Sequence, residues 1–253
     1  MNRTKIEWTT YTWNPVTGCL KDCWYCYVRR LEEKYGYSRL PQFHADRLSA
    51  PRHARPGSRI LVCSTADLFA PWIDASWITA VWCEVQRFPE VTFQFLTKFP
   101  ERYVRWEWPA NCWLGTTVES PEHVGRIDSL AGLPNLHFVS FEPLLGDVAA
   151  VLGPDRSVRL DWMIIGAITG TRGGAHLPHR NWITGLLDVA AQWCIPVFQK
   201  DNLRRLWSGP LRQEFPDPIY LGPKQTMEGA GLCVKPRAIS ALQQEGEHGQ
   251  VFE

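Results

Sequence analysis

Three cysteines fall within eight residues, in the run Cys19-Leu20-Lys21-Asp22-Cys23-Trp24-Tyr25-Cys26. The C-x-x-x-C-x-x-C spacing lets three thiolates grip one face of a single inorganic centre. A cubane iron–sulfur cluster has four irons, normally held by four cysteine thiolates, so three local ligands leave one iron open to a non-protein ligand. A structural zinc ion instead requires a fourth protein ligand. No other Cys or His lies close in sequence, and His44 and His53 stand in an Arg- and Pro-rich stretch without paired-ligand spacing. Two readings follow: a redox-active [4Fe-4S] cluster in an enzyme, or a structural zinc in a module that binds nucleic acid or protein. Of the remaining cysteines, Cys63, Cys83, Cys112 and Cys194 lie in apolar surroundings and read as small core residues. Cys233, in a Gly-rich stretch, is a candidate hydrogen-atom donor.

The elements that must position the cysteines follow a rhythm. Apolar runs at 59–64, 91–98, 112–119, 137–142, 162–166 and 195–200 end in polar residues and read as strands. Their near-continuous apolarity fits parallel strands covered on both faces. Between them, Ile78, Val81, Trp82 and Val85 make a helical face behind Asp74. Ser120-Pro121 starts a second predicted helix carrying Val124, Ile127 and Leu130, and a third spans 178–193. A further helix, Val28 to Tyr35, follows the cysteine loop. Strand, helix, strand at this spacing predicts a parallel α/β domain. Polar residues at successive strand ends predict a partial (β/α)6-like TIM barrel, whose mouth gathers side chains from many strands. The barrel is expected over 1–207. From Ser208 onward prolines and glycines break the pattern, so 208–253 is expected to be a loop-rich extension packing on it.

Composition sets the outer bounds. At 253 residues with 45% hydrophobic and 21% charged residues, the chain buries a substantial core and does not read as disordered. No apolar stretch approaches the roughly 20 residues of a membrane helix. No leader is legible at the amino terminus, so a cytoplasmic location is expected, where eight cysteines do not read as a disulfide framework. A net charge of +1 excludes a wholly basic coat but not a local patch.

The cysteine run resembles the radical S-adenosylmethionine signature, C-x-x-x-C-x-aromatic-C, with Tyr25 at the aromatic position. The resemblance implies a [4Fe-4S] cluster on Cys19, Cys23 and Cys26, with S-adenosyl-L-methionine chelating the open iron. It also implies an electron donor such as a flavodoxin or ferredoxin, and generation of a 5′-deoxyadenosyl radical. Further blocks, among them Lys5-Ile6-Glu7-Trp8-Thr9, Asp67-Leu68-Phe69, Phe95 to Arg102 and Phe141 to Gly146, resemble a phage-associated family with a domain of unknown function. The superfamily's usual Gly-Gly-Glu-like element is replaced by Cys63-Ser64-Thr65-Ala66-Asp67. Ser64 and Asp67 offer a hydroxyl and a carboxylate to the methionine ammonium. Tyr25, Thr117 and Glu119 are further expected cofactor contacts, the last two at a strand end where relatives place ribose-binding groups. Rival roles stand beside these: Ser64 to Asp67 as a helix cap, and Glu119 as a helix-start carboxylate. Thr97 and Lys98 end another strand, Lys98 reading as a solvated lysine, and Glu142 sits before a proline where it can face the same mouth.

From Arg29 to Arg59, eight arginines and lysines face three acidic residues. This excess suits the phosphates of DNA or RNA, with Tyr35, Tyr37 and Phe43 available to stack on bases; the alternative is a solvated loop. The metal question has a direct answer. Purified without oxygen, the protein is expected to be brown and to carry about four irons and four sulfides per chain. Colourless, zinc-loaded protein would sink the cluster reading.

Overall fold

The apolar runs become neighbours in one sheet. The structure, a computed structural model, describes residues 1–152, 160–169 and 176–216. Its elements in chain order are β1 (Asn2–Arg3), β2 (Tyr11–Trp13), β3 (Val16–Thr17), α1 (Tyr27–Tyr35), β4 (Gln42–Phe43), β5 (Arg59–Val62), α2 (Ala75–Val85), β6 (Thr92–Thr97), β7 (Cys112–Thr117), β8 (Leu136–Phe141), β9 (Trp162–Ile165), α3 (Arg180–Gln192) and β10 (Val197–Gln199). The main sheet has the order β1-β2-β5-β6-β7-β8-β9-β10. All its pairings are parallel except β1 with β2. All six predicted strands are present; β2 was not foreseen, because Tyr11-Thr12-Trp13 is too short to show a period.

The sheet is strongly curled. Laid flat, six strand spacings of about 4.8 Å would set β2 roughly 29 Å from β10. Yet Glu7, between β1 and β2, accepts a hydrogen bond from the backbone N–H of Asp201, just past β10, at 2.7 Å. No strand pairing closes the ring among the described residues, so this is a partial barrel. The gap is filled by side chains. The Trp8 ring lies 6.1 Å from those of both Phe138 and Trp162. Residues 211–216 run back along β10, where Glu214 donates its N–H to Val197 at 2.9 Å and accepts from the Trp162 indole at 2.8 Å. Phe215 lies beneath the Arg59 guanidinium, 4.0 Å from ring centroid to guanidinium carbon. Residues 217–253, Cys233 among them, lie outside the described residues.

Alternation along each strand sorts the core in two. Leu61, Trp113, Phe138, Trp162, Ile164 and Phe198 point into the barrel with Trp8. Ile60, Val62, Leu114, Val139, Met163 and Val197 point outward beneath the helices. Asp74 caps α2 as its sequence suggests, accepting from the Ser76 N–H at 2.7 Å. The segment after Ser120 departs from expectation: Pro121–Leu130 is 3-10 rather than α-helical. Its Ser120 hydroxyl bonds the His123 ring at 3.1 Å instead of capping, and Gly125 weakens α-helix propensity at its centre. Cys63 and Cys112 are buried and Cys83 is partly so, but Cys194 is exposed, in a left-handed turn (φ 53°) between α3 and β10. It is a turn residue, not a core one. Among the described residues no helix is long and apolar enough to cross a membrane.

The barrel interior has no spare room beside Gly115, where a Cβ would stand 2.4 Å from Phe138 Cζ. Gly115→Ala is therefore expected to destabilise by about 1–3 kcal/mol, a loss of several degrees in a thermal melt. Adding Phe138→Leu should recover part of it. Simple additivity of the two changes would show that the ring does not hold that space.

Candidate active site

The carboxyl ends of the strands surround a cavity of about 590 Å³, within the size range of small-molecule sites. Cys19, Cys23 and Cys26 line it together. Their loop is set by local geometry. Gly18 turns at φ 83°, and a Cβ there would meet the Leu40 carbonyl oxygen at 2.1 Å, so only glycine lets the chain pass so close. Cys26 is the N-cap residue of α1. Asp22 fastens the loop by accepting from Arg29 at 2.8 Å and Arg39 at 3.3 Å. Tyr27 donates to the Ser64 carbonyl at 2.5 Å and Tyr37 to the Thr65 hydroxyl at 2.9 Å, tying α1 and the stretch after it to the loop after β5. Burial pushes the Cys19 and Cys23 thiols up, with the Lys98 ammonium pulling Cys23 back. Among the described residues, no three His, Cys, Asp or Glu side chains converge on one ion-sized point.

Cys63 turns the chain out of β5 with φ 58°, sending Ser64 to Asp67 along the cavity wall. Ser64 donates to the Asn14 side chain at 3.2 Å. Asp67 is half-buried and accepts from the Lys98 N–H at 2.9 Å, the Phe69 N–H at 3.3 Å and the Thr97 hydroxyl. Burial raises its pKa, and these donors offset part of the rise. Buried Arg102 donates to the carbonyls of Phe69, Ala70 and Ile73, so the Asp67-Leu68-Phe69 and Phe95 to Arg102 blocks form one structural unit.

Glu119 differs from its expected position. Thr117 lines the cavity, but the Glu119 carboxylate lies behind the wall, 3% exposed. It is held by Lys98, by the Tyr25 hydroxyl, by Arg126 at 2.7 Å and by His123 at 3.2 Å. Burial alone would raise its pKa; the Lys98 charge and hydrogen bond, then Tyr25 and Arg126, bring it down to about 2. Lys98 is accordingly no solvated lysine, since it also donates to Tyr25 at 2.9 Å. Burial first, and the Glu119 charge next, push the Tyr25 phenol well up, so it stays protonated and donates.

The ends of β8 and β10 add groups to the cavity that strand-end reasoning left unassigned. Glu142 faces the cavity as expected, but its ion pair with Lys200, at 2.5 Å, was not foreseen. Burial opposes the Lys200 charge, and Glu142 together with Glu7 outweighs it, raising its pKa. Asn202 brackets Ala167 with two hydrogen bonds, of 3.0 and 2.8 Å. The signal was present in the sequence: Lys200 ends an apolar run just as Glu142 does.

The arginine stretch is dispersed by the fold. Arg29 and Arg39 are answered by Asp22, and Arg59 lies against Phe215. Arg55 precedes β5, at the amino end of the sheet, opposite the cavity, where Ser58 donates its N–H to the Arg55 carbonyl at 3.0 Å. Arg30 stays near the mouth, donating to the Thr169 carbonyl at 3.2 Å.

No curated protein matches the chain. Solved structures of spore photoproduct lyase share its fold. One variant superposes with a TM-score of 0.53 at 10% identity, covering 78% of each chain. The lyase complexed with dinucleoside spore photoproduct gives 0.50 at 11%, covering 76% of this chain and 75% of that one. A double variant with bound AdoMet and dinucleoside spore photoproduct gives 0.51 at 13%, covering 74% and 62%. At such identities the likeness is one of fold. A sequence family described as "Protein of unknown function (DUF5131)" matches residues 3–205, the whole curled sheet from β1 through β10, and the chain belongs to that family.

Proposed function

We propose that this protein is a radical S-adenosylmethionine enzyme acting on a nucleic-acid base. The observation that carries the reading is the placement of Cys19, Cys23 and Cys26 on one wall of a cavity at the carboxyl ends of a curled parallel sheet. Three thiols facing one space suit three irons of a [4Fe-4S] cluster. When bound, the reduced cluster supplies the electron that splits S-adenosyl-L-methionine into methionine and a 5′-deoxyadenosyl radical. The chain's own residues bind and orient. Among the described residues Asp67 Oδ2 accepts one hydrogen bond, from Lys98, and so keeps acceptor capacity for the methionine ammonium, with the Ser64 hydroxyl lining the same cavity. Thr117 and Tyr25 line the wall. Glu119 acts through Tyr25 and Lys98, as a positioning residue fixing the loop between Cys23 and Cys26. The shared fold with spore photoproduct lyase, solved with dinucleoside spore photoproduct, supports a nucleic-acid substrate.

Cys23→Ala is expected to abolish cofactor cleavage; full cleavage by that variant would remove the basis of the assignment. Asp67→Asn should weaken cofactor binding about tenfold with iron content intact. Loss of iron instead would assign Asp67 to holding the loop. For the substrate, oligonucleotide affinity should fall steeply between about 50 and 200 mM salt. Arg30→Glu should reduce the log–log slope by about one, and Arg55→Glu, at the far end of the sheet, should leave it unchanged. A slope insensitive to Arg30 would place the phosphates elsewhere.

A further inference from the structure

The Glu142–Lys200 pair has hydrogen-bonding capacity that the described residues do not use. Glu142 follows β8 and Lys200 follows β10, and both line the cavity. Their side chains are 18% and 10% exposed. Glu142 Oε1 accepts from Lys200 and, at 3.4 Å, from the Thr169 hydroxyl; among the described residues, Oε2 accepts from none. The Lys200 ammonium carries three N–H donors, and among the described residues one is engaged. Removing two charges from water is costly, and their mutual attraction repays it only when the remaining donors and acceptors are satisfied. Here they are left facing a cavity. Backbone bonds hold the loop without them: Leu144 donates to Gly166 at 2.9 Å and Leu145 to Glu119 at 2.7 Å. Gly166 leaves the pair its room, since a Cβ there would lie 3.1 Å from Lys200 Cδ and 3.2 Å from Glu142 Cδ.

We propose that Glu142 and Lys200 form a substrate subsite that reads a nucleobase edge bearing a ring N–H beside a carbonyl, as in thymine, uracil and guanine. The inference rests on the nucleic-acid reading above and specifies its base. Glu142 Oε2 accepts from the ring N–H, and Lys200 donates to the adjacent carbonyl. Leu61, Leu96 and Ile168 line the same cavity and give apolar contact to a flat ring. Adenine and cytosine present an acceptor nitrogen where Glu142 needs a donor, so they are disfavoured by an unpaired buried acceptor.

The test uses the full chain with its cluster reconstituted and two probes, thymidylyl-thymidine and its counterpart methylated at both N3 positions, titrated by calorimetry. The wild type is expected to bind the unmethylated probe at least tenfold tighter. In Glu142→Met/Lys200→Met, where apolar side chains of similar length replace the pair, the melting temperature should hold and the two affinities should agree within about twofold. Glu142→Gln, nearly isosteric, is the second variant and should cut the discrimination below threefold. Equal affinities in the wild type, no binding of either probe, or tenfold discrimination surviving in whichever variant melts cooperatively would each overturn the subsite. Iron content and cofactor cleavage, measured on the same wild-type preparation, report separately on the radical-enzyme reading. A cluster-bearing, cofactor-cleaving protein that ignores N3 methylation loses only the subsite; a protein without iron loses that reading while its discrimination still decides the subsite.

Discussion

The curl of the sheet is the constraint on which the site depends. Parallel strands twist, but twist alone does not bring β2 within a residue's reach of β10. The interior does so by volume: the indoles of Trp8, Trp113 and Trp162 with the ring of Phe138 fill the barrel, and Gly115 gives up its side chain to make space for that ring. The hydrogen bond from Asp201 to Glu7 then joins the two edges where no strand pairing does. An open flat sheet would spread the same strand ends along a line, and no one cavity would collect residues from β5 through β10.

Charge at the cavity and behind its wall is handled in two ways. Beside the cysteines, Glu119 is saturated by Lys98, Arg126, His123 and Tyr25, so its charge is fully compensated and its role is to brace. Such a network rigidifies only when every member is satisfied. At the cavity itself, Glu142 and Lys200 compensate each other's charge but not each other's hydrogen-bonding capacity. The first arrangement suits a fixed scaffold for an inorganic centre, and the second suits a surface that completes its bonds with a ligand. Asp67 stands between these extremes, half-buried and engaged at both oxygens, yet with acceptor capacity to spare.

Electrostatics also redistributes the arginines. The count over residues 29–59 suggests one basic patch, but folding sends part of that stretch along the cysteine loop and part to the opposite end of β5. Asp22, which lies outside that stretch, pairs with two of the arginines nearest the loop, and Glu32 also reaches Arg39. The field at the mouth is thus weaker than a linear sum implies, because opposite charges at contact distance cancel over distances comparable with the Debye length.

Much of this was legible in the sequence. The three-cysteine spacing is local, so three thiols sharing one site could be expected without a fold, and the six apolar runs became strands because burial on both faces leaves a compositional trace. Asp74 showed itself as a cap for the same reason, the bond to Ser76 spanning two residues. What only the tertiary structure decided involves partners far apart in the chain. Glu119 changed from an open ligand to a buried brace because Tyr25, 94 positions away, reaches it. Lys98 left solvent through the same contact, and Glu142 met Lys200 across 58 positions because β8 and β10 flank β9 in the sheet. Cys194 followed the same logic in reverse: apolar neighbours in sequence suggested a core position, while the left-handed turn that ends α3 put it in solvent. Local spacing fixes what a side chain is able to do; long-range packing fixes which partners have already claimed it.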